Sequence, residues 1–89
     1  MISLNWQEVR EKYKDRWVLI EALESQSTDG KRIILDMSVI NDYDTGKDAL
    51  KEYSNRHKKD KNREMYVYHT KHTELTIEER LWIGVRKNG

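Results

Sequence analysis

Trp17-Val18-Leu19-Ile20 is the most apolar run in this chain, and it limits what the chain can become. Four consecutive β-prone apolar residues do not leave one face to water as an alternating strand does. They suit a strand covered on both faces, in the middle of a sheet. With 89 residues, a single domain over 1–89 has to be assembled around that strand. A chain this short buries only about 60–65% of the surface it exposes when unfolded, so its core is small and a large multidomain enzyme is excluded. Ile, Leu and Val together number 19, close to the composition at which disorder is suspected, but disorder also calls for high net charge. Here the net charge is +1, proline is absent, and three tryptophans and five tyrosines add burial capacity. The composition therefore favours a folded domain.

The remaining elements can be placed around the apolar run. Asn5 followed by Glu8 is a capping box, and Leu4 with Val9 can form a hydrophobic staple. Trp6, Val9 and Tyr13 then share one face of a short helix ending near Lys14 or Asp15. After the apolar strand, Asp29-Gly30 marks a reversal. Residues 33 to 40 alternate, with Ile33, Leu35, Met37 and Val39 expected on one face and Ile34, Asp36, Ser38 and Ile40 on the other. These two strands form a predicted antiparallel hairpin. A second helix starts near Thr45 with Asp48 in its first turn, and Ala49, Leu50, Tyr53 and His57 form its apolar stripe. Met65 to Thr70 alternates as a third strand, and Leu81 to Arg86 reads as a fourth. Residues 73 to 80 are read as an extended lead-in to it. The expected fold is α+β in the order α-β-β-α-β-β, a four-stranded antiparallel sheet packed against two helices.

The pattern Trp6-x-x-Val9-x-x-x-Tyr13-x-x-x-Trp17-Val18-Leu19-Ile20-Glu21, with the ending Trp82-Ile83-Gly84-Val85-Arg86, resembles a family of small uncharacterised bacterial single-domain proteins. The resemblance covers both ends and the helix–strand order, while residues 26 to 62 match in pattern only. It implies a single small domain and a bacterial cytosolic origin, and it brings no activity with it.

Most chemistry is disfavoured by what the chain lacks. Without cysteine there is no disulfide, thiolate metal site or cysteine nucleophile. No apolar run approaches the roughly 18 residues of a membrane span, and the N-terminus lacks the basic and apolar regions of a signal peptide. A cytoplasmic protein with no membrane partner is the expectation. An EF-hand loop beginning at Asp42 would need a fifth-position ligand, a glycine and a final glutamate where Gly46, Lys47 and Tyr53 stand. Asn41, Asp42, Asp44 and Asp48 are better read as turn and cap residues. His69 and His72 with Glu74 could suggest zinc, but on a strand positions 69 and 72 point to opposite faces. No serine sits in a Gly-x-Ser-x-Gly elbow, and Glu21, Glu24 and Asp36 read as the wet positions of strands. Neither a cofactor nor a catalytic residue is indicated, and the chain reads as a non-enzyme.

Two surface features remain. Residues 1 to 50 are net acidic, and residues 51 to 89 are net basic. Arg56, Lys58, Lys59, Lys61 and Arg63, followed by Tyr66 and Tyr68, could take the phosphates and stack the bases of single-stranded nucleic acid. Against this, a pI near 8.0 lies below the value above 9 usual for a nucleic-acid domain, and cations are favoured at a helix C-terminus by its dipole alone. The other feature is the sheet itself, whose edges can accept a partner strand. Aromatic side chains suit such contacts, and Trp6 and Trp82, near the two termini, are the candidate contact residues. The preferred expectation is a small interaction domain whose partner is another protein or a second copy in a homodimer. The alternative is a nucleic-acid-binding module.

Overall fold

The structure, a computed structural model, describes residues 3–78. α1 (Trp6–Lys12) leads into β1 (Trp17–Thr28) and β2 (Lys31–Tyr43), followed by α2 (Gly46–Lys59), β3 (Met65–His69) and the two-residue β4 (Ile77–Glu78). The strands are antiparallel and lie in the order β3-β1-β2-β4. Among the described residues the fold is thus α+β, built on three full strands. The expected fourth full strand at Leu81 to Arg86 lies outside the described residues. Ile77–Glu78 pairs with Arg32 and Lys31 at the end of the described residues.

Each element starts where local chemistry allows it. The Asn5 side chain accepts from the Glu8 N–H at 2.9 Å, and Glu8 Oε1 accepts from the Asn5 N–H at 2.9 Å. That capping box satisfies two backbone donors at the head of α1. α1 is nevertheless shorter than its sequence suggests and stops at Lys12. Asp15, at φ 55°, then turns the chain into β1. Thr45 caps α2 by accepting from the Asp48 N–H at 3.1 Å. The hairpin turn places Asp29 at φ 52° and Gly30 at φ 76°, the two positive angles that let a two-residue loop follow the twist of its strands.

β1 is the central strand, and Val18, Leu19 and Ile20 are completely buried. They are buried against two different layers. Val18 and Ile20 join Trp6, Val9, Ile34, Met37 and Ile77 in one cluster, with α1 on that face. Trp17 and Leu19 point the other way. The Trp17 ring passes so close to α2 that a Cβ at Gly46 would stand 3.1 Å from it. The two helices therefore cover opposite faces, which is why the apolar run has no wet side. Trp17 itself is half-buried, at the start of the strand.

The alternation expected along β2 does not survive pairing. The β1–β2 register shifts between Leu19 and Ile20, and twice more between Ala22 and Ser25. Glu24 pairs with Asp36 while Leu23 and Leu35 are left out of the ladder, as bulged residues are. The phase of β2 changes there. Ile34 and Met37, three residues apart, share the buried face, while Ile33 and Leu35 are 38% and 42% exposed.

Candidate functional site

The two edges of the sheet are finished differently. Along β2, Leu4 exchanges two backbone hydrogen bonds with Met37, at 2.7 and 2.9 Å, and β4 pairs with Lys31 and Arg32. Beyond β3 no strand follows among the described residues. The Thr70 N–H donates to the Arg16 carbonyl at 2.9 Å, and the Ala22 N–H donates to the Glu64 carbonyl at 2.8 Å. The register between these points is unbroken. Tyr66 and Tyr68 therefore turn their backbone groups inward to β1, and Met65, Val67 and His69 turn theirs outward. The His69 carbonyl accepts from the His72 N–H at 3.3 Å. The peptide groups of Met65 and Val67 face outward with no strand to pair with among the described residues.

α2 forms a wall beside this edge. Ala49 is buried against the sheet, and at 3.6 residues per turn Tyr53 and Leu50 follow it around the flank nearest β3. Leu50 is 56% exposed, the most of any large apolar side chain described, so the expected apolar stripe of α2 is only partly covered. Leu50, Tyr53, Met65, Tyr66 and Val67 enclose a hollow of about 70 Å³. A small-molecule pocket is typically about 300–1,000 Å³, so this hollow is too small for one. A second, more open hollow continues along the strand past Tyr53, Arg63, Glu64 and Met65.

β3 is positioned by the two residues that precede it, which hold β1 and β2 from opposite faces. Arg63 donates through Nε and Nη2 to Glu21, at 3.1 and 2.5 Å, on the α2 side. Those hydrogen bonds hold the Glu21 carboxyl below its ordinary pKa. Glu64 accepts from Arg32 Nε at 2.7 Å and Nη2 at 2.9 Å, from the Tyr66 hydroxyl at 2.7 Å and from the Ser25 hydroxyl at 3.1 Å. The Arg32 hydrogen bond is the main reason that its carboxyl is lowered to about 2, against the cost of burial. Tyr66 is pushed upward in turn, first by burial and then by its bond to Glu64.

The residues expected to form a nucleic-acid surface are not brought together. Tyr66 and Tyr68 pack against the α1-side core, on the opposite face from the basic end of α2. Tyr66 is tied to Glu64, and Tyr68 meets Trp6 edge-on at 5.6 Å. Arg56 pairs with Glu52 one turn back, and Arg63 pairs with Glu21. Lys58, Lys59 and Lys61 stay exposed. Trp6, a candidate protein contact, is instead a core residue at 8% exposure, with its indole N–H donating to the His72 carbonyl at 2.9 Å. The other candidate, Trp82, lies outside the described residues.

The acidic connection holds an arginine. Arg16 donates to Asp42 at 2.8 Å and also to Asp44. These bonds raise the Arg16 pKa above its ordinary value. His69 and His72 diverge, His69 edge-on to Trp17 at 5.1 Å and His72 beside Tyr68 at 4.9 Å. Among the described residues no group of three or more His, Asp or Glu is placed to hold a metal ion, and no helix is long and apolar enough to cross a membrane.

No protein-family model, curated protein or solved structure matches this chain. Its own residues point to the β3 edge. Sequence reasoning missed Leu50 as a surface residue because it treated the α2 stripe as one uniform face. The available signal was the angular distance of Leu50 from Ala49, about 100° around the helix.

Proposed function

We propose that this chain is a small non-enzymatic interaction domain that binds another protein along the outer edge of β3. The observation that carries this reading is the conjunction of outward-facing peptide groups at Met65 and Val67 with the exposed Leu50 beside them. An unpaired strand edge supplies directional hydrogen bonds to an extended chain, and a neighbouring apolar hollow supplies side-chain selection. The other sheet edge is partly occupied by Leu4 and β4, whereas among the described residues no strand covers β3.

The nucleic-acid reading is less well supported. Its tyrosines are engaged on the face away from its cations, so stacking and phosphate contact do not converge as single-strand binding requires.

The test is affinity capture from lysate, with and without nuclease, using the native chain and Leu50→Asp in parallel. The expected result is a discrete protein that survives nuclease and is lost with Leu50→Asp, while the circular dichroism of the variant stays native. Material that disappears with nuclease would overturn the proposal. So would a protein captured equally well by both chains.

A further inference from the structure

We infer that the α2-side face of the β1–β2 hairpin is a docking surface for the chain's own residues 80–87, an apolar run with basic flanks. This surface is separate from the β3 edge and does not depend on the function proposed for that edge.

Alternation along the two strands places the surface. On β1, Ala22 packs against the α1-side core. Ser25 donates to Glu64, which also holds Tyr66 of that core. On β2, Ile34 and Met37 are buried in the same core. The residues next to these face the other way, which puts Leu23 and Glu24 of β1 beside Ile33, Leu35 and Asp36 of β2. Leu23, Ile33 and Leu35 are three of the four exposed large apolar side chains among the described residues. Glu24 and Asp36 are paired directly across the ladder. Neither takes part in an ion pair among the described residues. Lys31 pairs with Thr28 at the turn, five positions along the strand from Asp36. Like charges directly opposite each other repel. The surface therefore favours an occupant that brings cations together with apolar side chains.

Residues 81–85 read Leu-Trp-Ile-Gly-Val, with Arg80 before them and Arg86 and Lys87 after them. That is the composition the surface calls for, and β4 brings the chain to it. Ile77–Glu78 pairs antiparallel with Arg32 and Lys31. β2 offers no further partner in that direction, because Gly30 lies in the turn. Leu35 is four positions from Lys31, about 13 Å along the strand. The eleven residues after Glu78 can span up to about 36 Å, enough to turn and cross the hairpin. A segment tethered this closely meets its site at an effective concentration on the order of millimolar, which favours the chain's own copy over that of a second molecule. In this arrangement the apolar run covers Leu23, Ile33 and Leu35, and the flanking cations offset Glu24 and Asp36. Trp82 is then an internal contact and not a contact with a partner protein.

The test is paramagnetic relaxation in the full chain. The sequence has no cysteine, so Asn88→Cys carries a nitroxide at a single position. The expected result is strong broadening of the backbone signals of Leu23, Ile33 and Leu35, with those of Leu50 and Val67 spared. Glu24→Lys/Asp36→Lys should remove most of that broadening, and so should Arg80→Glu/Arg86→Glu/Lys87→Glu. The two sets combined should restore it, with amide spectra confirming that each variant is folded. Absence of broadening on the hairpin would overturn the proposal, and broadening centred on Met65 and Val67 would overturn the placement. Broadening unchanged by either charge reversal would overturn the role of the carboxylates. Broadening passed from a nitroxide-bearing chain to an isotope-labelled chain without the nitroxide would make a second copy the occupant and overturn the intramolecular assignment.

Discussion

Glu64 shows how much one side chain can hold in a chain this small. It accepts from Arg32, Tyr66 and Ser25, and so joins β1, β2 and β3 at the point where the sheet narrows. Its pKa falls from the ordinary 4.5 to about 2, chiefly through Arg32. The unfolded chain therefore binds the proton more readily than the folded one. The stability this carboxylate contributes is fully present above about pH 4.5 and is lost as pH falls toward about 2. Urea titrations between pH 6 and 2 should show a steep acid loss in the native chain and a shallower one in Glu64→Gln. Equal slopes would mean that the network does not hold in solution. Asn5 acts through the capping box at the head of α1. Asn5→Ala should cost about 0.5–2 kcal/mol by chemical denaturation, with the far-ultraviolet signal of α2 retained. Asn5, Glu8 and Thr45 were legible because capping is local, set by a side chain and an amide three residues away. Glu64 was not legible. Its partners come from 32 and 39 positions earlier in the chain as well as from Tyr66 nearby, and no spacing rule links them.

At the scale of the element, the hairpin and α2 divide in the same way. The turn was readable because Asp29-Gly30 is among the few pairs that accept positive φ at both positions. Gly30 has open space around the position a Cβ would take, so its requirement is one of backbone conformation alone. Gly30→Ala should lower stability by about 1–2 kcal/mol, the cost of a left-handed conformation for a residue with a side chain. Gly46 is the opposite case, with an unexceptional backbone and the Trp17 ring pressed against it. Gly46→Val should cost about 1–3 kcal/mol by overpacking and should shift the tryptophan emission. The phase of β2 was misread because periodicity assumes an unbroken ladder. Leu23 and Leu35 drop out of pairing on the two strands in turn, and each omission moves the next residues to the other face. In α2 the apolar positions were counted correctly, but the helix rests on the sheet over a narrower arc. Ala49 takes the buried position and Leu50 is left outside.

For the whole molecule, the decisive quantity is the burial of β1 between two helices. Leu19 is fully buried on the α2 face of the central strand. Leu19→Ala should cost about 2–5 kcal/mol, a large part of the roughly 5–15 kcal/mol that holds a typical domain together. Leu50→Asp should leave the stability within about 0.5 kcal/mol of native, because the side chain it replaces is already more than half exposed. A large loss of stability in that variant would show that the groove is part of the core and not an interface. The run Trp17 to Ile20 by itself determined that a central strand would be covered on both sides, since no arrangement with one wet face could hide three consecutive apolar residues. The caps, the hairpin turn and the α+β class were likewise decided locally, by backbone preferences and by side chains a few positions apart. Tertiary structure alone decided that Trp6 enters the core, that Tyr66 and Tyr68 face away from the basic helix end, and that the outward peptide groups of β3 lie next to Leu50 with no strand beyond them among the described residues. Each of these depends on which strand lies beside which and on where the bulges fall, and pairing between distant segments sets that order only once the chain has folded.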